Sequence, residues 1–128
     1  MEFFIPMEPP TTTFQAKQIN WKKKVVYDSQ EIKNIKQKFE SYLYKFKPEK
    51  PLEGAIEFST VWIYKSKTKE TKPKTTKPDL DNMNKLLQDA MTKLQFWKDD
   101  SQITRLTIEK WWGEVPGIWI RIEESEDD

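Results

Sequence analysis

At 128 residues the chain suits one domain spanning 1–128, and 36% apolar with 13% aromatic residues gives it the means to fold rather than stay disordered. It has neither cysteine nor histidine, which excludes a disulfide framework, a thiolate nucleophile, a Ser-His-Asp triad and an imidazole metal ligand; hydrolytic chemistry must run on carboxylates, lysines and bound water. The net charge of +1 hides an asymmetry: residues 1–78 hold 16 lysines against nine acids, +7, and residues 79–128 hold six basic residues against twelve acids, −6.

Residues 2–5 are expected to form a short strand, cut off by Pro6 and followed by a Pro/Thr-rich loop to Thr13. No apolar run approaches a membrane span, so a soluble, cytoplasmic protein without a membrane partner is expected. Asp28 with Glu31 resembles a capping box, and Ile32, Ile35, Phe39, Tyr42, Leu43 and Phe46 then fall at helical spacing, which predicts an amphipathic helix from about Ser29 to Phe46.

Between Ala55 and Tyr64 the pattern alternates, with Ile56, Phe58, Trp62 and Tyr64 on one side, as in a strand with a buried face. Lys65–Pro78 holds six lysines among fourteen residues and no apolar side chain besides its prolines, and is expected to be an exposed mobile loop. A second helix starts near Asp81, with Met83, Leu86, Leu87, Ala90, Met91 and Leu94 as its apolar stripe, and Asp79 or Asp81 can cap it. Ile103–Trp112 and Ile118–Ile122 read as strands joined into a hairpin by the turn from Gly113 to Gly117. The whole predicts an α+β fold in two layers, a mixed β-sheet with two α-helices packed on one face. Trp62, Trp111, Trp112 and Trp119 are expected in the core or at a dimer interface, and Trp97 is placed to hold the segment after the second helix against it.

Asp79, Asp81 and Asn82 converge at a helix start, with Lys85 one turn beyond Asp81 on the same face. Alone, this stretch reads as a capped helix with an Asp81–Lys85 ion pair, and Asp99-Asp100-Ser101 as a solvated turn. Chemistry requires that the two acidic groups meet. A helix from Asp81 to Lys93 spans about 18 Å, and seven extended residues from Leu94 to Asp100 cover about 23 Å, so the chain can return. Carboxylates gathered at ~4 Å repel by about 4 kcal/mol per pair at an effective dielectric near 20, and Mg²⁺ supplies the missing positive charge. An EF-hand does not fit, because its sixth and twelfth positions fall on Asn84 and Ala90, and with glycine only at 54, 113 and 117 there is no phosphate-cradling loop.

The run Lys77-Pro78-Asp79-Leu80-Asp81-Asn82, then Lys85, Asp89-Ala90 and Phe96-Trp97-Lys98-Asp99-Asp100-Ser101-Gln102-Ile103, with Gly113-Glu114 and Pro116-Gly117-Ile118 behind it, resembles the RusA family of Holliday-junction resolvases. The resemblance covers roughly residues 73–123. It implies a homodimer that holds a four-way DNA junction and hydrolyses it symmetrically with Mg²⁺ or Mn²⁺, leaving 5′-phosphate and 3′-hydroxyl ends. Carried over by position, Asp79, Asp81 and Asp100 would bind the metal, with Asp99 and Asn82 auxiliary, and Lys85 would lie near the scissile phosphate. Where the family often has a Gly/Pro segment followed by arginines, this chain has Pro9-Pro10-Thr11-Thr12-Thr13, so contacts made there are not carried over. Lys22, Lys23 and Lys24 and the loop lysines Lys65, Lys67, Lys69, Lys72, Lys74 and Lys77 are the candidates for phosphate contacts. Two alternatives use the same residues: a looser nuclease for flaps or forks, and a non-catalytic protein that binds branched DNA.

Overall fold

The computed structural model of the protein describes residues 1–11, 17–20 and 25–125. In chain order these form β1 (Glu2–Ile5), β2 (Lys17–Asn20), β3 (Val25–Asp28), α1 (Gln30–Leu43), β4 (Ile56–Lys65), β5 (Lys72–Pro73), α2 (Leu80–Lys93), β6 (Ile103–Gly113) and β7 (Gly117–Glu124). Short 3₁₀ turns occupy Tyr44–Phe46 and Asp100–Gln102.

Ser29, not Asp28, starts α1: its hydroxyl accepts the Ile32 N–H at 3.2 Å. The helix ends at Leu43 and tightens into the 3₁₀ turn before Pro48, short of the predicted Phe46. Its buried residues, Ile32, Phe39 and Leu43, pack with Met83, Leu86, Leu87, Ala90 and Met91 of α2. Two ion pairs rim this contact, Lys36–Asp89 at 3.3 Å and Lys93–Glu40 at 3.0 Å.

Five strands form one mixed sheet in the order β1-β7-β4-β6-β5, and β2 and β3 pair separately. Strand β4 lies at the centre, parallel to β6 and antiparallel to β7. Its alternate residues Ile56, Phe58, Trp62 and Tyr64 are buried under the helices beside Ile118, Ile120 and Ile122 of β7 and Phe3 and Ile5 of β1. Each aliphatic or Phe side chain so buried contributes about 1.5–3 kcal/mol against solvent exposure. The opposite face carries Glu57, Ser59, Val61 and Ile63 and, among the described residues, has no helix on it, so the expected two-layer α+β arrangement holds.

The β6–β7 connection differs from the expected hairpin. Gly113 lies beside Lys65 and Gly117 beside Ile63, so residues 114–116 pass around the end of β4, which separates the two strands. The Ser66 N–H donates to Gly113 O at 2.8 Å and Lys65 Nζ to Glu114 O at 2.7 Å, fastening the turn to the end of β4. The two glycines reverse the chain as expected, but β4, which carries apolar residues on both faces, takes the place between their strands.

The lysine-rich segment is more ordered than an exposed loop. Lys72 and Pro73 pair with Trp112 and Trp111, and Ser66, Lys74 and Pro78 are buried. No helix among the described residues is long and apolar enough to cross a membrane.

Candidate active site

The site is built on the first turns of α2, and the sheet sets the helix's rotation. Asn84, fully buried, accepts the Thr60 hydroxyl at 2.7 Å and the Trp62 indole N–H at 3.3 Å, and donates to Gln88 Oε1 at 2.8 Å. Its neighbours Met83, Leu86 and Leu87 face the core, which turns Asp81, Lys85 and Asp89 outward along one side.

A lysine on the sheet holds the entry to α2. Lys110 projects from β6 and donates to the carbonyls of Thr76 at 2.5 Å and Pro78 at 2.7 Å, the two residues that bracket Lys77 just before Asp79. Lys74 is 8% exposed, with its ammonium 4.0 Å from the Trp112 ring centre and 2.6 Å from Thr76 Oγ1. Desolvation, with repulsion from Lys110 added, holds the Lys74 ammonium below the usual lysine pKa. Lys74 is therefore not an exposed anchor, as its place in a lysine-rich run had implied; the aromatic ring of Trp112 covers it.

Asp79 stands at the N-cap position of α2, but its carboxylate makes no capping bond and accepts instead a long 3.5 Å contact from Asn82 Nδ2. Asp79 and Asp81 are exposed at the helix's positive end.

The chain does return from the far end of α2. Past Leu94 it reverses at Gln95, where φ is 63°, with the Phe96 N–H donating to Met91 O at 3.0 Å. Trp97 is fully buried, and its indole donates to Thr92 Oγ1 at 2.7 Å, which fixes the returning segment against the helix. Asp99 then caps the 3₁₀ turn: its carboxylate accepts the Ser101 N–H at 2.9 Å, and Gln102 Oε1 accepts the Asp99 N–H at 2.9 Å. The Ser101 N–H holds the Asp99 carboxyl below its ordinary pKa.

Asp100, the next residue, meets Lys85. The ammonium donates to Asp100 Oδ2 at 3.0 Å and lies 3.5 Å from Asp89 Oδ1, and Lys36 reaches Asp89 from α1. The hydrogen bond to Asp100 raises the Lys85 pKa against an opposing desolvation, with Asp89 adding to it. Lys85 is thus a cation throughout the neutral range. Asp81 lies one turn before Lys85, about 6 Å along the axis, so Asp100 comes to the same stretch of helix as Asp81.

Lys85 and Asp100 are therefore brought together, as are Asp79 and Asn82. Among the described residues no three acidic side chains are close enough to form a ready-made metal cage. The donor chemistry nonetheless fits a hard divalent cation, since every candidate ligand offers carboxylate or amide oxygen. Of the lysines proposed for DNA, Lys65, Lys67, Lys69, Lys72 and Lys77 are exposed, and Lys22, Lys23 and Lys24 lie outside the described residues. Lys110 and Asn84 escaped the sequence reading. Lys110 sits in an ordinary strand, and a buried Asn inside the helix's apolar stripe was the one available signal for Asn84. A groove of about 500 Å³ lined by Val61, Ile63, Trp111 and Trp119 is on the other face of the sheet, away from the acids.

The chain is 37% identical over 129 residues to the crossover junction endodeoxyribonuclease rusA of Lactococcus phage r1t, covering 96% of this chain and 97% of that protein. It is also 44% identical over 50 residues to the uncharacterized protein YqaN of Bacillus subtilis (strain 168), a match to 39% of this chain and 34% of that one. The family model described as Endodeoxyribonuclease RusA matches residues 6–123, and the chain belongs to that family.

Proposed function

We propose that the chain is a cytoplasmic, metal-dependent endodeoxyribonuclease that works as a homodimer and resolves four-way DNA junctions by symmetric hydrolysis. The observation that carries the reading is the contact between Lys85 and Asp100, fifteen residues apart, one helical turn beyond Asp81 in a chain whose family match spans 6–123. Asp79, Asp81 and Asp100 would hold Mg²⁺ or Mn²⁺, with Asn82 orienting Asp79. When bound, such an ion supplies Lewis acidity and lowers the pKa of water.

The chain's own residues do the rest. Lys85, charged at neutral pH, donates a hydrogen bond to a non-bridging oxygen of the scissile phosphate and offsets charge that grows in the transition state. Asp99, occupied by the Ser101 N–H, keeps Asp100 in place rather than meeting substrate. Attack by water forms a new P–O bond and breaks the bond to the 3′ oxygen, which takes up a proton; the products are a 5′-phosphate and a 3′-hydroxyl. Lys65, Lys67, Lys69, Lys72 and Lys77 contact the sugar-phosphate backbone without reading sequence.

The test is cleavage of a synthetic four-way junction, a flap and a plain duplex with Mg²⁺. Paired symmetric cuts in the junction are expected, with Asp81→Asn binding but not cutting. Preference for the flap would point to the looser nuclease. Undiminished cleavage by Asp81→Asn would remove the proposed mechanism, and salt-sensitive binding without turnover would leave a binding protein.

A further inference from the structure

We propose that Asp89 is a positioning residue of the site: it takes over the Lys85 ammonium when Asp100 turns to a divalent cation, and holds it where the scissile phosphate arrives. The proposal rests on the nuclease reading above, in which Asp100 is a metal ligand. In the structure Lys85 stands between two carboxylates, with Asp100 Oδ2 at 3.0 Å and Asp89 Oδ1 at 3.5 Å. It reaches forward to Asp89, one turn on, and among the described residues no ion pair joins it back to Asp81, whose carboxylate is thereby left open.

Asp89 is itself held from the neighbouring helix. Its two oxygens are divided: Oδ2 lies 3.3 Å from Lys36 Nζ on α1, and Oδ1 faces Lys85. Helix geometry alone does not account for that second contact, because a lysine four residues before an acid is the weaker order on an isolated helix. The packing of α1 on α2 supplies what local spacing lacks. Only 22% of the Lys36 side chain and 28% of the Asp89 side chain are exposed, against 45% for Lys85, so the anchor is better sheltered from water than the group it holds. Lys36, Asp89, Lys85 and Asp100 thus form a chain of alternating charge that runs from α1 to the 3₁₀ turn.

The need for a second partner follows from charge. An ammonium bonded to Asp100 occupies an oxygen that a metal ligand must offer, and a unit charge is repelled twice as strongly by a divalent ion as by another unit charge at the same distance. Lys85 and the cation therefore compete for Asp100. With no other carboxylate in reach, the ammonium would either keep Asp100 or swing into water on a flexible four-carbon stem. Asp89 removes both outcomes. An ammonium has three N–H donors, and one directed at Asp89 Oδ1 leaves two for the non-bridging oxygens of the phosphate.

Mn²⁺ binding in the absence of DNA, followed by the paramagnetic resonance of the free ion, reads the competition directly. Lys85→Met should bind Mn²⁺ more tightly than the parent protein, and Asp89→Asn about threefold more weakly, the scale of one half-exposed ion pair. In the Lys85→Met background Asp89→Asn should change the affinity little. With a four-way junction at saturating Mg²⁺, Asp89→Asn should lower kcat about tenfold at unchanged KM, as expected for a misplaced group that acts in the transition state. Lys36→Met, which leaves Asp89 present but unanchored, should lower kcat by a smaller factor and add nothing to Asp89→Asn in the double variant. Cooperative melting curves confirm that the variants fold. An equal loss of Mn²⁺ affinity with and without Lys85 is the mark of a plain negative charge and would overturn the proposal, as would an unchanged kcat in Asp89→Asn or additive effects of Asp89→Asn and Lys36→Met. A parent protein that binds no Mn²⁺ and cuts no junction overturns the nuclease reading and this proposal with it. A parent protein that does both, with Asp89 uncoupled from Lys85, overturns this proposal alone.

Discussion

Replacing Asn84 by alanine isolates the polar contact that ties α2 to the sheet. The Thr60 hydroxyl is 1% exposed and donates to Asn84 Oδ1 at 2.7 Å, so the variant leaves that donor without an acceptor or water. The Trp62 indole keeps its 3.0 Å bond to Thr60 Oγ1, so one donor is orphaned rather than two. An unsatisfied buried hydroxyl costs about 1–3 kcal/mol. Taking about 2 kcal/mol and an unfolding entropy near 2.1 cal/mol/K per residue, the melting temperature should fall by about 7 °C. Urea unfolding followed by tryptophan fluorescence measures the same loss as a lower midpoint at unchanged slope. The control is Gln88→Ala, which removes the outer end of the same network, where water can replace Gln88; its shift should stay under about 2 °C. Equal shifts for the two variants, or none for Asn84→Ala, would refute the argument that burial of the Thr60–Asn84 bond is what matters.

Lys110→Met frees the carbonyls of Thr76 and Pro78, and junction cleavage should then require a several-fold higher Mg²⁺ concentration while junction binding is unchanged; an unaltered Mg²⁺ titration would show that the clamp does not position Asp79. Lys67→Ala, Lys69→Ala and Lys72→Ala should each lower the slope of log Kd against log salt by about one where the lysine contacts a phosphate, whereas Lys74→Met, which removes a covered ammonium, should leave the slope unaltered. Asp99 is held below its ordinary pKa of 3.8, so its contribution to stability is complete above that value and is lost as pH falls through the lowered one. The melting temperature of Asp99→Ala should therefore lie below that of the parent protein at pH 7, and the gap should close below pH 3.8; a gap independent of pH would mean that the Ser101 N–H is not what the carboxylate serves.

Both helices and β4 were legible because each buries one face, and burial imposes a period of about 3.6 or 2 on the apolar residues. The 3₁₀ turn at Asp100 and the pairing of β5 were not. Lys72 and Pro73 join the sheet through backbone groups, which leave no trace in side-chain pattern. The hairpin reading failed for a related reason: glycines at 113 and 117 signal a reversal, but a local signal does not say which distant strand will lie between the arms. The apolar residues on both faces of β4 held that information, since Val61 and Ile63 suit a central position, while Arg105, Thr107 and Glu109 of β6 suit an edge. At the site, spacing placed Asp81 and Lys85 on one face of α2. Bringing Asp100 to Lys85 depended on the reversal at Gln95 and the burial of Trp97, which chain length permitted and only packing accomplishes. Lys110 is thirty-two residues from Pro78 and acts on a carbonyl, so no side-chain motif announces it.

The threading of β4 between β6 and β7 sets a timetable for synthesis. While a ribosome is still adding residues before Ile103, β4 has no neighbour in the main sheet, because all its ladder bonds are made with residues 103–124. Both of its hydrogen-bonding edges must wait for residues 103–124, a delay that favours slow assembly and engagement by chaperones. Loss of β7 alone would strip one whole side from β4 and take away the strand that β1 pairs with among the described residues, so a nascent chain that stalls near Gly113 should be handed to proteases rather than persist as a partly working nuclease.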